Sequence, residues 1–169
     1  MGFQTLQEIH GSAPLMVLPG DHKFVAEALL GWSEAGLIVR LVRGRKMRTA
    51  EGLFDEVSAA LQFPYYFGEN WSAFDECLTD MDWLPSTAGL VVIVLDSGEV
   101  LCDEPDEELG TLVRVIGHAA ETYAEPVESG EWWDRPALPF HVVLHIGVGE
   151  EASMRAHWGA AGAKFSDLN

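Results

Sequence analysis

From Gly89 to Leu95 the chain reads Gly-Leu-Val-Val-Ile-Val-Leu, without one polar side chain. A strand with one face in water alternates apolar and polar residues. A strand that is apolar at every position must be covered on both faces, as in a parallel sheet packed between helices. Leu37 to Val42 and Phe140 to Ile146 read as two further strands. Amphipathic helical segments lie between them. Thr49 can cap a helix carrying Leu53, Phe54, Val57 and Leu61 on one face, closed by Pro64. Asn70 can cap a second, running to Met81, with Trp71, Phe74, Cys77, Leu78 and Met81 as its buried stripe. The acidic turn Asp103 to Glu108 opens a third, with Leu109, Leu112, Val113, Ile116, Ala120 and Tyr123 facing inward. Strands alternating with helices require crossovers and a mostly parallel sheet. The expected class is α/β, a small three-layer domain of three parallel strands flanked by helices.

The 169 residues fit one such domain with additions at both ends. Residues 1–36 read as an added strand–helix unit. In it the run Leu15 to Leu18 ends at Pro19-Gly20, and Asp21 caps a helix bearing Val25, Ala28, Leu29 and Trp32, stopped at Gly36. That unit either extends the sheet by a strand or packs across an edge. Residues 37–146 form the main domain, interrupted over 125–139 by a loop with three prolines and Trp132-Trp133. Two tryptophans there are either a lid over the core or an exposed partner contact. Residues 147–169, rich in Gly and Ala, read as a weakly ordered tail with one short helix around Ser153 to Trp158.

Charge narrows the function. Ten Lys and Arg against 27 Asp and Glu give −17, which repels phosphate backbones and argues against direct nucleic-acid binding. The charges are also segregated. Arg40, Arg43, Arg45, Lys46 and Arg48 sit close together, whereas no Lys, Arg or His occurs between Thr49 and Val113. The face built from that stretch carries a strong negative potential, serving either solubility or a cationic partner. No apolar run approaches the ~20 residues of a membrane helix. Two cysteines make no disulfide framework, and no secretory leader is recognisable, so the expected compartment is the cytoplasm.

The helix after Gly68 is the informative one. Its apolar stripe leaves Ser72, Asp75, Glu76 and Thr79 on the opposite face, with Asp75 and Glu76 pointing outward side by side and Asp80 and Asp82 at its end. Acids in the last turns oppose the helix dipole, an arrangement that costs the helix, so the charge either has a use or is an ordinary solvated polar face. Asn70 is a cap, a contact, or both; Tyr66 either plugs the core or meets a partner. Cys77, on the apolar stripe, reads as a buried thiol. A hydrolase built on Ser72 and Glu76 would need a distant histidine such as His118. His141 and His145, four residues apart on a strand, are separated by ~13 Å and cannot share an ion. Gly147-Val-Gly149 lacks the remaining residues of a phosphate-binding fingerprint. No enzyme, cofactor or metal is expected.

The segment Tyr66-Phe67-Gly68-Glu69-Asn70-Trp71-Ser72-Ala73-Phe74-Asp75-Glu76-Cys77-Leu78-Thr79 resembles the central motif of the barstar-like family, intracellular inhibitors of the ribonuclease barnase. The shared pattern is an aromatic pair, Gly-Glu-Asn, then a helix ending in acid-Cys-Leu-Thr. The element order over roughly 37–124 and 140–146 is similar too. The resemblance implies an inhibitor whose acidic helix plugs a basic ribonuclease or toxin, with partner contacts at Tyr66, Asn70, Ser72, Asp75, Glu76, Thr79 and Asp80. It places the principal inhibitory carboxylate on Glu76, where the family prototype has aspartate. A second family acid falls on Ser72, a tryptophan on Asp75 and a glycine on Asp80. The alternative is an interaction module on the same scaffold serving a partner that is not a nuclease.

Overall fold

The computed structural model describes residues 13–85 and 88–168. Among these residues the strands are β1 (Leu15–Pro19), β2 (Ile38–Arg43), β3 (Leu90–Leu95), β4 (Phe140–Ile146) and β5 (Phe165–Asp167). The helices are α1 (His22–Glu34), α2 (Ala50–Leu61), α3 (Trp71–Thr79), α4 (Asp106–Ala124) and α5 (Glu151–Ala160). All strand pairs are parallel, in the order β2-β3-β4-β1-β5. The three expected strands form the β2-β3-β4 part of this sheet. The apolar run is covered on both faces, as its composition demands, and β3 is an interior strand, with Ile38 and Phe140 opposite Leu90 on its two sides.

Side chains alternate across the sheet and split the core in two. Leu90, Val92, Val94, Phe140, Val142 and Leu144 face α2, α3, α4 and α5. Met16, Leu18, Val91, Ile93 and Val143 face α1 through Val25, Ala28 and Trp32. The handedness of parallel crossovers explains the division. The connection from β1 to β2 runs across the sheet in one direction; the connections from β2 to β3, β3 to β4 and β4 to β5 step the other way. A single hand therefore places α1 on one face and the remaining helices on the other.

Local signals act where they were read. Asp21 accepts the Phe24 N–H (2.9 Å), Thr49 the Gly52 N–H (3.1 Å) and Asn70 the Ala73 N–H (2.9 Å), each satisfying a donor that the first helical turn leaves unpaired. α1 stops at Gly36, whose φ of 91° suits glycine. α2 ends earlier than Pro64 requires, because Gln62 takes the left-handed conformation (φ 57°) and its side chain returns to the Ala59 carbonyl.

Both chain ends depart from expectation or resolve it. The N-terminal unit extends the sheet, and β1 enters between β4 and β5 rather than at an edge. The segment after residue 147, read as a weakly ordered tail, is instead a complete crossover of α5 and β5. α5 has a thin apolar pattern, yet Met154 and Trp158, one turn apart, are wholly buried, and the Trp158 indole N–H donates to the Ser97 carbonyl (2.9 Å). Arg155 bonds both Glu151 and Asp167, joining helix to strand. Two anchoring side chains and one side-chain bridge do what a continuous stripe does elsewhere.

Candidate partner-binding face on the third helix

The connector before α3 is shaped by aromatic packing. Phe63 and Phe67 turn inward and meet edge to face (5.2 Å), and Phe54 packs against Phe67, Trp71 and Phe74 at 5.1–5.9 Å. With those rings inside, Tyr65 and Tyr66 are driven outward. Tyr66 is 72% exposed, so it is no core plug. Asn70 closes the connector twice, accepting from Ala73 and donating its amide to the Gly68 carbonyl (3.1 Å).

α3 is braced at both ends by α4. The Trp71 indole N–H donates to Glu108 (2.7 Å) near the start of both helices, and the buried Tyr123 hydroxyl donates to the Leu78 carbonyl (2.8 Å) near their ends. Burial pushes the Tyr123 phenol far up, so it stays a donor. The helix spans 71–79, shorter than the stretch to Met81 read from sequence. Asp80 is its C-cap, and Met81 is buried just beyond.

The outer face carries Ser72, Glu76 and Asp80, all exposed, and the half-buried Asp75 and Thr79. Thr79 donates its hydroxyl to the Asp75 carbonyl (2.8 Å). Asp75 and Glu76 do not point outward together. The Asp75 carboxylate turns toward α4, where Oδ1 lies 2.7 Å from Nδ1 of His118. The reason is geometric: Asp75 flanks the buried stripe on the α4 side, and α4 presents His118 there. That hydrogen bond, then the charge of Asp75, raises the His118 pKa. No local signal could have found this pair, whose members are far apart in sequence.

Glu76 and Asp80, one turn apart, line the other flank. With Tyr66, Gly68, Ala73 and Cys77 they enclose a surface groove of about 160 Å³. Desolvation, then Asp82 and Glu76, push the Asp80 carboxyl above its ordinary value. Burial, then Glu76 and Asp80, push the Cys77 thiol up, so it is a packed thiol and no nucleophile. Three of the five bases in the cluster are engaged elsewhere: Arg43 with Glu56 (2.8 Å), Arg45 with Asp96 (4.0 Å) and Arg48 with Glu99 (2.7 Å) and Asp103 (2.9 Å). Among the described residues no cation pairs with Glu76 or Asp80. The groove is thus a small, negatively charged recess, bounded by an exposed phenol, on a helix held at both ends.

The remaining candidates separate from this face. His145 donates to the Gly20 carbonyl (2.8 Å), and among the described residues no three His, Cys, Asp or Glu cluster as metal ligands. No described helix is long and apolar enough to cross a membrane. Trp132 and Trp133 stand exposed and form no lid.

The family model described as Barstar (barnase inhibitor) matches residues 37–145. No individual curated protein matches the chain. The matched span holds β2, β3, nearly all of β4, and α2, α3 and α4, including the groove. The units β1–α1 and α5–β5 lie outside it.

Proposed function

The chain belongs to the barstar family, and from that premise we propose that it binds and blocks a basic ribonuclease or related toxin through the outer face of α3. The observation that carries this reading is the recess in which Glu76 and Asp80 pair with no cation among the described residues. A ribonuclease holds the phosphate of its substrate with Arg, Lys and His, so its vacant active site is a cleft of positive charge. A carboxylate on a braced helix can take the phosphate position and accept charge-assisted hydrogen bonds. Glu76 is the principal carboxylate in this scheme. Asp80, whose carboxyl is pushed up by desolvation and then by Asp82 and Glu76, gains from a cation brought into the groove. Tyr66 supplies an exposed ring at the groove mouth, and Asn70 sets the angle at which that ring is offered.

Asp75 plays a smaller part, because His118 already satisfies it. Ser72 and Thr79 flank the carboxylates as hydroxyl contacts. The surrounding negative field raises the rate of encounter with a basic protein and falls with salt.

The test is inhibition of RNA cleavage by a panel of basic ribonucleases, using the wild type and Glu76→Lys. The expected result is inhibition of at least one enzyme, weakened about 10- to 100-fold by the substitution, the range for losing hydrogen bonds to a charged group. An enzyme inhibited equally by both proteins removes the α3 face from the mechanism. If no ribonuclease is inhibited, the scaffold serves a partner of another kind.

A further inference from the structure

The loop between α4 and β4 is a built structure. Val127 and Arg135 exchange two backbone hydrogen bonds (2.9 and 3.0 Å), closing the segment into a hairpin. Inside it the Asp134 carboxylate accepts the N–H groups of Ser129 (2.9 Å) and Gly130 (2.8 Å), which hold its pKa below the usual carboxylate value. At the base, the Arg135 guanidinium donates to the carbonyls of Thr122, Glu125 and Pro136 and lies 5.1 Å from the centre of the Tyr123 ring. Tyr123 itself stacks on Phe140 (5.7 Å), filling the core beneath the loop.

This hairpin holds two indoles in water. Trp132 is 84% exposed and Trp133 49%, their rings 5.5 Å apart and 86° from parallel. The surroundings are acidic. Glu125, Glu128 and Glu131 are exposed, and no Lys or Arg occurs from Glu121 to Asp134. The next base, Arg135, spends its guanidinium inward.

We infer that this loop is a second docking point, which receives an arginine-bearing segment of a protein partner. A guanidinium stacks on an indole face and pairs with carboxylates at the same time, so perpendicular indoles rimmed by glutamates match it on both counts. A purely apolar partner matches the rings and leaves the acidic rim facing nothing. The loop is tied to α3 through the core, since Tyr123, on which Arg135 rests, donates to Leu78 in the last turn of α3. The loop argument stands without the α3 reading.

The test titrates the full chain, with ¹⁵N-labelled indoles, with a short peptide carrying three arginines, and separately with the same peptide carrying citrulline, which keeps the shape and loses the charge. The proteins are the wild type, Trp132→Ala/Trp133→Ala, Glu128→Lys/Glu131→Lys and, as a charge control on α1, Glu34→Lys. The expected result is movement of the Trp132 and Trp133 indole N–H signals with arginine and none with citrulline. Affinity should fall about tenfold in the tryptophan variant and severalfold in the loop charge variant, and change little in Glu34→Lys. Because those tryptophans are exposed, the variant should keep the wild-type melting temperature. Stationary indoles, an equal response to citrulline, or wild-type affinity in the tryptophan variant overturns the inference. Failure of ribonuclease inhibition alongside a normal peptide response would count against the α3 reading alone.

Discussion

Asp75 Oδ1 and His118 Nδ1 lie 2.7 Å apart, a contact that joins the middle of α3 to the face of α4 beside it. It removes one carboxylate from the free negative surface and makes that surface sensitive to pH. The His118 pKa is raised in the folded chain, so the pair stabilises fully below the ordinary histidine value near 6.5 and is lost as pH rises through the raised value.

His118→Ala should therefore lower stability at pH 6 and leave it unchanged at pH 9. Both side chains are partly exposed, so the loss at pH 6 is below about 1 kcal/mol and shrinks in salt. Urea unfolding of both proteins at the two pH values checks this. A difference independent of pH would mean that the histidine acts through packing.

Asp80→Asn should act in the opposite sense on stability and function. The Asp80 pKa is raised by desolvation, then Asp82 and Glu76, so its charged form strains the folded chain and its neutral form does not. The two proteins should match in stability below about pH 4, and the variant should gain roughly 0.5 kcal/mol as pH rises past the wild-type carboxyl's raised value. Binding of a basic partner should weaken in the same variant. Stability gained with affinity lost is the signature of a charge kept for recognition.

Asn70→Ala should cost about 1 kcal/mol through loss of the cap, lowering the melting temperature by about 2–4 °C. Asn70→Asp keeps the oxygen that caps and removes the amide that holds Gly68. It should melt near the wild type while binding a partner less well, since the Tyr66 connector is then held by one bond fewer. Calorimetry and an inhibition assay on the two variants separate capping from contact.

Trp158→Ala should cost about 3–5 kcal/mol, measured by urea unfolding, because a fully buried indole and its bond to Ser97 are both lost. A loss below about 0.5 kcal/mol is what a surface tail would show.

The contrast between these positions explains what could be read without coordinates. Asp21, Thr49 and Asn70 cap helices through donors three residues ahead, so their chemistry is written within a single turn. The β3 run states its own burial, and the motif from Tyr66 to Thr79 is contiguous, so the face it builds could be named. The Asp75–His118 contact depends on how two helices pack, and neither residue's neighbours hint at the other. The order of the sheet is equally hidden, since any apolar run can sit at an edge or inside. Gly and Ala after residue 147 lower the apolar count, and the weight there rests on Met154 and Trp158.

The place of β1 has a consequence for the order of synthesis. Leu15 pairs with Val142 on one side and Phe165 on the other, so β1 must wait for residues made more than a hundred positions later. Until then β2 and β3 can pair, and α2, α3 and α4 can settle on them, without it. Contacts this distant in sequence form slowly. The face of α3 can thus assemble on the emerging chain before β1 joins the sheet, and β4 and β5 then hold that strand between them.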